Sequence, residues 1–443
     1  MEAVKGQRLV WGMNGYQWLV LFAAWLGWGF DIFDGLLFNY VAPNCVPTLL
    51  HLEIGTPQAQ AATLYWTGLL TSILLIGWAL GGILFGKVAD RIGRTKTMLL
   101  TMGIYSLGTC ACAFAWDMSS LVLFRLLVSL GIGGEWAAGA SLVAEVAPEN
   151  RRVEAGALLY TSAPMGLFLA TFLNFQIAGN YFKDIPETSW RYVFLCGLIP
   201  AALAFSIRFF VKEPERWKQR EKKEARLRDL FSHEHFRMTL SGFLAAIVAL
   251  ISWWSCNAFL SVVVSGLARV QAATDGLDKG ATLALVEDWK HLATNVFNLG
   301  GLIGTLLTVP IAKRFGRKPM LATYFLLSSL SIFITFGVDL PAHIRLYMYF
   351  PIGLTVFGVF GCFTYYLPEL FPTHLRATGS GFCYNIGRVF ASVGPFVVGS
   401  IASQGQNTLT AALTALSWIA LVPLIGVLGM PWIVETKDRK LVD

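Results

Sequence analysis

Two stretches of this sequence, Gly86-Lys-Val-Ala-Asp90-Arg91-Ile-Gly93-Arg94 and Val309-Pro-Ile-Ala-Lys313-Arg314-Phe-Gly316-Arg317, share one pattern of glycine and basic residues. The first begins at residue 86 and the second at residue 309, an offset of 223. A second pattern, Glu145-x-x-Pro148-x-x-x-Arg152, recurs as Glu369-x-x-Pro372-x-x-x-Arg376 at an offset of 224. Two separate motifs with nearly the same displacement indicate an internally duplicated chain.

The sequence around these motifs is that of a membrane protein. It is 55% hydrophobic and 14% charged, against roughly 25% charged residues in soluble domains. Strands are excluded because apolar and polar residues do not alternate, as a membrane barrel requires. Runs of about 20 apolar residues, each long enough to span the bilayer as a helix, predict twelve helices near 15–42, 65–88, 97–116, 118–146, 153–180, 190–211, 238–264, 290–312, 319–338, 343–366, 378–402 and 409–434. Duplicated membrane proteins with a cavity between their halves are typically transporters.

Charge predicts the organisation and the topology. We expect an N-terminal six-helix bundle (1–211), a charged cytoplasmic linker (212–237) and a C-terminal six-helix bundle (238–443). The net charge of +7 comes from Lys and Arg in alternate loops, which places those loops and both termini in the cytoplasm. We therefore expect lipid rather than nucleic acid as the partner of this charge.

Nothing in the sequence predicts an enzyme or a metal centre. The seven cysteines form no disulfide framework, since all except Cys45 fall inside predicted helices and Cys45 is predicted in an outer loop. His233 and His235 lack further metal ligands. With no appended soluble domain, we expect no catalytic residues, no metal and no cofactor, and protons as the coupling ion.

The loop at 86–94, the pattern Arg125-x-x-x-x-x-Gly131-x-Gly133-Gly134 in helix 4 and the duplicated acidic motif resemble the major facilitator superfamily over essentially the whole chain. The resemblance implies two six-helix bundles that rock around a central cavity lined by helices 1, 4, 7 and 10. It also implies that the loop motifs latch a cytoplasmic gate; the alternative is that they only retain positive charge inside. The predicted gate residues are Gly86, Asp90, Arg91, Gly93, Arg94, Glu145, Arg152, Arg314, Gly316, Arg317, Glu369 and Arg376.

Intramembrane acids predict proton coupling. Asp31 and Asp34 lie on one face of helix 1 at spacing i, i+3, and a charge at the bilayer centre costs about 3 kcal/mol or more unless it faces a cavity or a partner. Arg125 of helix 4 lies at a suitable depth to pair with them, and Glu135 is a further candidate, either for relaying protons or for binding the substrate. The alternative is a purely structural ion pair or packed acid.

Arg388 in helix 11 predicts an anion site in the second half. A permanently charged guanidinium at this depth needs an anion, which a substrate carboxylate would supply; pairing with Glu135 or with carbonyl groups is the alternative. Asn385 lies three residues earlier on the same helix. In helices 7 and 10 we predict further substrate contacts or ordinary packing residues at Trp253, Asn257, Tyr365 and Tyr366.

The Asp-x-x-Asp pattern in helix 1, with the segment from Glu369 to Arg388, resembles the metabolite:proton symporters, especially their aromatic-acid and sialate branches. We therefore predict a monomeric, alternating-access symporter that imports a small organic anion, such as a carboxylate or sugar acid, across a bacterial inner membrane. A neutral sugar or polyol symporter is the alternative, since Lys212-Glu-Pro-Glu-Arg-Trp resembles the sugar-porter pattern. A drug-efflux antiporter is less favoured, because Ser162-Ala-Pro164-Met-Gly166 is not the antiporter motif. A non-transporting receptor would carry a longer tail.

Overall fold

The computed structural model describes residues 12–92, 94–133, 143, 146–148, 151–200, 202, 206, 227–372, 375–404 and 407–437. The side chains of residues 86, 87, 89–91, 94, 95, 152, 153 and 377 also lie outside the description. The predicted linker falls mostly outside these ranges, so its boundaries and those of the two predicted bundles stay a prediction.

The described residues of the first half form six membrane helices. Their bounds are α1 (Gly15–Leu49), α2 (Pro57–Ile92), α3 (Arg94–Cys112), α4 (Met118–Gly133), α5 (Arg152–Tyr160 and Ser162–Asn174, ending in a π-helical turn at Phe175–Tyr181) and α6 (Pro186–Leu195). These ends define two sides of the bundle. We call the side with the α2–α3 loop the inner side and the opposite side the outer side.

The described residues of the second half repeat this arrangement after a short 3-10 turn at Leu227–Phe231. The helices are α7 (Phe236–Thr274), α8 (Lys279–Phe315), α9 (Arg317–Ile332, then Phe333–Gly337), α10 (Ala342–Tyr347 through short segments to Phe363–Leu370), α11 (Arg376–Ala391 and Val393–Gln404) and α12 (Thr408–Trp418 and Leu421–Leu428). The α8–α9 loop therefore lies on the inner side, like the α2–α3 loop.

The helices form because their sequences are apolar on all faces, which suits helices that contact lipid or one another. Nine of the described helices are long and apolar enough to cross a membrane, and α3, α4 and α6 complete the set. The predicted all-α fold of twelve helices is confirmed, although several helices are longer than predicted. Helix α1 runs through Pro43 and Pro47 to Leu49, since proline is tolerated in membrane helices. The prediction that Cys45 lies in an outer loop is therefore wrong: it is buried in α1.

Helix crossings repeat with the same offset as the motifs. A methyl group on Gly81 of α2 would overlap the carbonyl oxygen of Leu130 in α4. In the second half, a methyl group on Gly304 of α8 would overlap the carbonyl oxygen of Leu354 in α10. Small residues allow such close approach of helix backbones in a membrane, so both halves use the same packing at equivalent positions.

The described parts of the two halves touch on both the outer and the inner side. Towards the outer side, Ser72 of α2 donates a hydrogen bond to the carbonyl oxygen of Ser392 in α11 at 2.6 Å. On the inner side, a methyl group on Gly156 of α5 would lie 2.9 Å from the Thr364 hydroxyl of α10. Side chains between these levels are consequently enclosed.

Candidate functional site

The central site is built around Arg388 of α11. Its side chain is 2% exposed, and its guanidinium lies 4.2 Å from the ring centre of Trp78 and 4.5 Å from that of Tyr384. It also donates a hydrogen bond to Asn385 Oδ1 at 2.8 Å. Trp78 comes from α2, so both halves of the protein enclose this cation.

An acid from the other half acts on the same guanidinium. Asp31 of α1 is fully buried, and its carboxylate interacts electrostatically with Arg388. Sequence reasoning missed this pairing because it assigned Asp31 to proton coupling and Arg388 to the substrate as separate sites. Glu135, the protein acid weighed as a partner of Arg388, lies outside the described residues.

Asp34 lies in a different environment, within the first half. Its Oδ2 accepts a weak hydrogen bond from the Ser106 hydroxyl at 3.4 Å. Arg125 interacts with it electrostatically and donates hydrogen bonds to the backbone carbonyl oxygens of Asp34 and Gly35. The structure thus brings Arg125 to Asp34, as the helix depths predicted, and Arg125 donates to the backbone carbonyl oxygens there.

Aromatic rings from both halves surround the central cation. Tyr160 of α5 hydrogen-bonds through its hydroxyl with Tyr384, and its ring stacks on Phe360 with centres 6.0 Å apart. On another side, Trp254 packs edge-on against Trp78 at 5.8 Å and against Trp253 at 4.7 Å. These rings shield the buried charges from water, which strengthens electrostatic interactions between them.

Several buried donors near these rings have no acceptor within the part of the chain that the structure describes. They are Nε1 of Trp78, Nε1 of Trp253 and Nδ2 of Asn257. Buried polar groups are normally hydrogen-bonded, so this surplus of donors suits a ligand that supplies acceptor atoms. Carboxylates and hydroxyl-rich molecules do so.

Two predicted substrate contacts are placed elsewhere. The Tyr366 hydroxyl lies 2.7 Å from that of Ser241 and donates to the Val434 carbonyl oxygen. Tyr365 lies under the guanidinium of Arg317, 5.7 Å from it, at the inner end of α10. The structure brings neither tyrosine together with Arg388, because both lie on the last two turns of the helix.

Three of the predicted gate residues of the second half, Gly316, Arg317 and Glu369, come together. Glu369 accepts two hydrogen bonds from Arg317, at 2.7 and 3.0 Å, and one from the Thr436 hydroxyl at 2.6 Å. Beside them, the Glu435 carboxylate accepts hydrogen bonds from the backbone N–H groups of Arg317 and Lys318, at the start of α9. Gly316 permits this because it adopts a φ of +105°, and a side chain there would overlap Glu435.

Other gate predictions have mixed outcomes. Arg376 donates to the Pro368 carbonyl oxygen at 3.2 Å, and Arg314 lies over the Phe315 ring at 5.2 Å. Gly93 and Glu145 lie outside the described residues, as do the side chains at positions 86, 90, 91, 94 and 152. Their roles stay predictions.

Comparison with known proteins decides the family. The model of the Major Facilitator Superfamily matches residues 18–395. The chain belongs to the Major Facilitator Superfamily. It is therefore a multi-pass membrane transporter and not an enzyme.

Relatives of this superfamily member handle small metabolites. It is 29% identical over 424 residues to a probable 4-methylmuconolactone transporter of Cupriavidus pinatubonensis, covering 94% of this chain and 90% of that protein. It is 24% identical over 421 residues to the sialic acid transporter NanX of Escherichia coli, covering 95% and 96%. Among solved structures, a D-xylose-proton symporter superposes with a TM-score of 0.71 at 19% identity, covering 96% of this chain and 100% of that chain. The predicted resemblance to the metabolite:proton group is confirmed.

Three features of the transporter were missed by sequence reasoning. Tyr160 and Glu435 carried no pattern that separated them from packing or tail residues. Glu154 of α5 pairs with Lys313 of α8 across the halves on the inner side. The sequence did contain a signal for this pair. Lys313 in the second motif corresponds to Asp90 in the first, and a basic residue at this position indicates an acidic partner nearby.

Proposed function

We propose that this protein imports a small organic anion, a carboxylate or sugar acid, together with a proton by alternating access. The observation that carries the proposal is the buried guanidinium of Arg388, which lies over the rings of Trp78 and Tyr384 and interacts electrostatically with the buried Asp31 of the other half. The anion would bind Arg388 bidentately, which is the geometry that a planar guanidinium favours for a carboxylate.

Competition for one guanidinium would couple the proton to the anion. While Asp31 is ionised, it neutralises Arg388 and weakens the attraction of a second carboxylate. Protonation of Asp31 removes that competition, so Arg388 then binds the substrate anion. A proton and a monoanion moving together carry no net charge. The membrane potential, which contributes about 2.3 kcal/mol per elementary charge per 100 mV, would therefore not drive uptake. The pH difference across the membrane would drive it.

Asp34 and Arg125 would act within the first half. Their proximity, with Ser106 donating to Asp34, supports a role in passing the proton rather than in binding the anion. Protons would be the coupling ion, with no further cofactor. We also propose that the protein is a monomer in a bacterial inner membrane. The positive charge of the inner loops supports the proposal that both termini lie in the cytoplasm.

Transport in proteoliposomes tests the proposal. We expect accumulation of an acid from a panel of gallate, 4-methylmuconolactone and sialic acid to rise with an inward proton gradient, and D-xylose not to be accumulated. Asp31→Asn should abolish accumulation while anion exchange persists, because the competing charge is permanently removed. Asp184→Asn, an exposed outer-side change, is the control. Accumulation that ignores the gradient, or uptake of D-xylose alone, would contradict the proposal.

A further inference from the structure

A second group of charges, two of them buried and one half-buried, lies nearer the outer side and takes no part in the site around Arg388. Lys290 of α8 is 2% exposed, and its Nζ lies 2.7 Å from Glu287 Oε1 on the same helix. Arg269 of α7 interacts electrostatically with Glu287. Asn174 of α5 donates a hydrogen bond to Glu287 Oε2 at 3.4 Å. We call these four residues the outer charge cluster.

The outer charge cluster lies between the two halves. Asn174 belongs to the first half, whereas the charged members belong to the second. The Phe175 ring of α5 stacks on His291 of α8 with centres 4.2 Å apart. The Arg269 guanidinium lies against the α1–α2 loop, where a Cβ atom on Gly55 would lie 2.6 Å from Arg269 Nη1. Any opening of the outer side must therefore separate these contacts.

Depth places the cluster on the route to the central site. Arg269 lies five residues before the outer end of α7, about 7 Å along the helix, and Asn174 seven residues before the end of α5, about 10 Å. Arg388 lies sixteen residues before the outer end of α11, about 24 Å. An anion entering between the halves from outside would reach Arg269 and Lys290 before Arg388.

The charge of the cluster is not balanced. Lys290 forms an ion pair with Glu287, and the half-buried Arg269 interacts electrostatically with the same carboxylate, so the four residues of the outer charge cluster together carry one excess positive charge. Burying ions is costly, and an apolar group of similar volume often serves packing equally well. An excess cation held between the halves therefore suits a transient anionic occupant better than a purely structural role.

We propose that Lys290 and Arg269 form an outer binding site for the carboxylate of the transported anion, occupied before the anion reaches Arg388. Glu287 fills this site when the outer side is closed. When Asn174 withdraws with the first half, the substrate carboxylate displaces Glu287 from Lys290. The inference rests on the proposed anion transport and adds a site to it.

The test uses substitutions with opposite expected effects. In right-side-out membrane vesicles supplied with radiolabelled gallate, Lys290→Gln should raise the Km for uptake by about tenfold or more, because a buried charged contact to the anion is lost. Glu287→Gln should lower that Km by about threefold or more, because the competing carboxylate is gone. The double variant removes both members of the Lys290–Glu287 ion pair and keeps Arg269, and its Km should follow that of Lys290→Gln.

Matched controls lie on the same helix. Lys279→Gln and Asp288→Asn remove the same charges from exposed positions of α8 and should leave the Km for gallate unchanged. In inside-out vesicles, Lys290→Gln should change the Km far less than in right-side-out vesicles. If Lys290→Gln and Glu287→Gln shift the outer Km in the same direction, the cluster is only a latch between the halves and the inference is wrong.

A binding measurement separates this inference from the proposed function. If the wild-type protein does not transport gallate, anion transport fails for this probe, and the outer site is judged by thermal stabilisation of the purified protein. Gallate should then raise the Tm of Arg388→Gln, in which the central cation is absent, but not of Arg388→Gln combined with Lys290→Gln. Equal Tm shifts in the two variants, or none in either, would overturn the outer site.

Discussion

Arg388 lies between the rings of Trp78 and Tyr384, at 4.2 and 4.5 Å from their centres. A flat guanidinium stacks on such rings while its N–H groups remain directed sideways, towards Asn385 and any bound carboxylate. An ammonium group has the same charge but neither the planarity nor the fixed pair of donors. At the scale of single residues, shape therefore matters as much as charge.

We expect Arg388→Lys to raise the Km for the transported acid by about tenfold, since bidentate and stacked contacts are lost together. The measurement is initial uptake in proteoliposomes over a range of substrate concentrations. Arg345→Lys is a matched control, because Arg345 is also buried but donates to the carbonyl oxygens of Val338 and Leu340 near the outer end of α10. An unchanged Km in Arg388→Lys would show that charge alone suffices.

At the scale of helices, crossings depend on the absence of side chains. Gly166 of α5 faces the backbone of α1, where a methyl group would overlap the carbonyl oxygen of Gly29. Gly166→Ala should lower the free energy of unfolding by about 2 kcal/mol, as overpacking typically does. Gly103→Ala in α3 is the control, because nothing lies within 4 Å of an added methyl group there. The Tm values of the two variants are compared by thermal unfolding in detergent. Equal Tm values would mean that α1 and α5 move apart at this crossing without loss of stability.

The start of α9 depends on a carboxylate from beyond α12. Burial raises the pKa of Glu435, but the backbone N–H groups of Lys437, Arg317 and Lys318 donate to its carboxylate and lower the pKa by more, to below its ordinary value. A lowered pKa means that the ionised form stabilises the fold above the unfolded-state pKa of about 4.3. That stabilisation is lost as the pH falls through the lower folded-state pKa.

Glu435→Gln should therefore reduce stability at pH 7 by up to about 1 kcal/mol, a value limited by solvent screening of a half-buried group. The difference in Tm between wild type and variant should stay constant above about pH 5 and shrink below about pH 4. Glu234→Gln, at an exposed position before α7, serves as the control. A difference that is independent of pH would mean that Glu435 acts without its charge.

At the scale of the whole molecule, the ion pair of Glu154 and Lys313 joins the two halves on the inner side. Reversing Lys313 to Glu should favour separation of the halves there by about 1 kcal/mol, or about fivefold in population. Separation of the halves can be measured with Thr364→Cys, because Thr364 lies close to Gly156 of the other half. We expect a maleimide added to the inner side to modify this cysteine faster in Lys313→Glu. Charge exchange in Lys313→Glu with Glu154→Lys should restore the slower rate. Arg237→Glu controls for net charge, and failure of the exchange to restore the rate would exclude the pair as a latch.

The architecture could be predicted from the amino-acid sequence alone. The number of apolar runs, the two motifs displaced by 223 and 224 residues and the resemblance that they carry predicted twelve helices in two related halves. Helix formation in a membrane depends on local hydrophobicity and on backbone hydrogen bonds within each segment, so it can be predicted from short windows of sequence. The same argument made Asp31, Asp34, Arg125 and Arg388 candidate functional residues, because charges are costly in the bilayer.

Which of these charges interact with one another depends on how the helices pack in the folded protein. Asp31 interacts electrostatically with Arg388 across the halves, Arg125 donates to the backbone at Asp34, and Tyr365 and Tyr366 contact groups near the inner end of α10 instead. Residue spacing gives the depth and face of a side chain on its own helix. The rotation of each helix against its neighbours depends on close contacts such as that of Gly166 with Gly29. Because those contacts join residues far apart in the chain, they pair the charges in a way that no local pattern encodes.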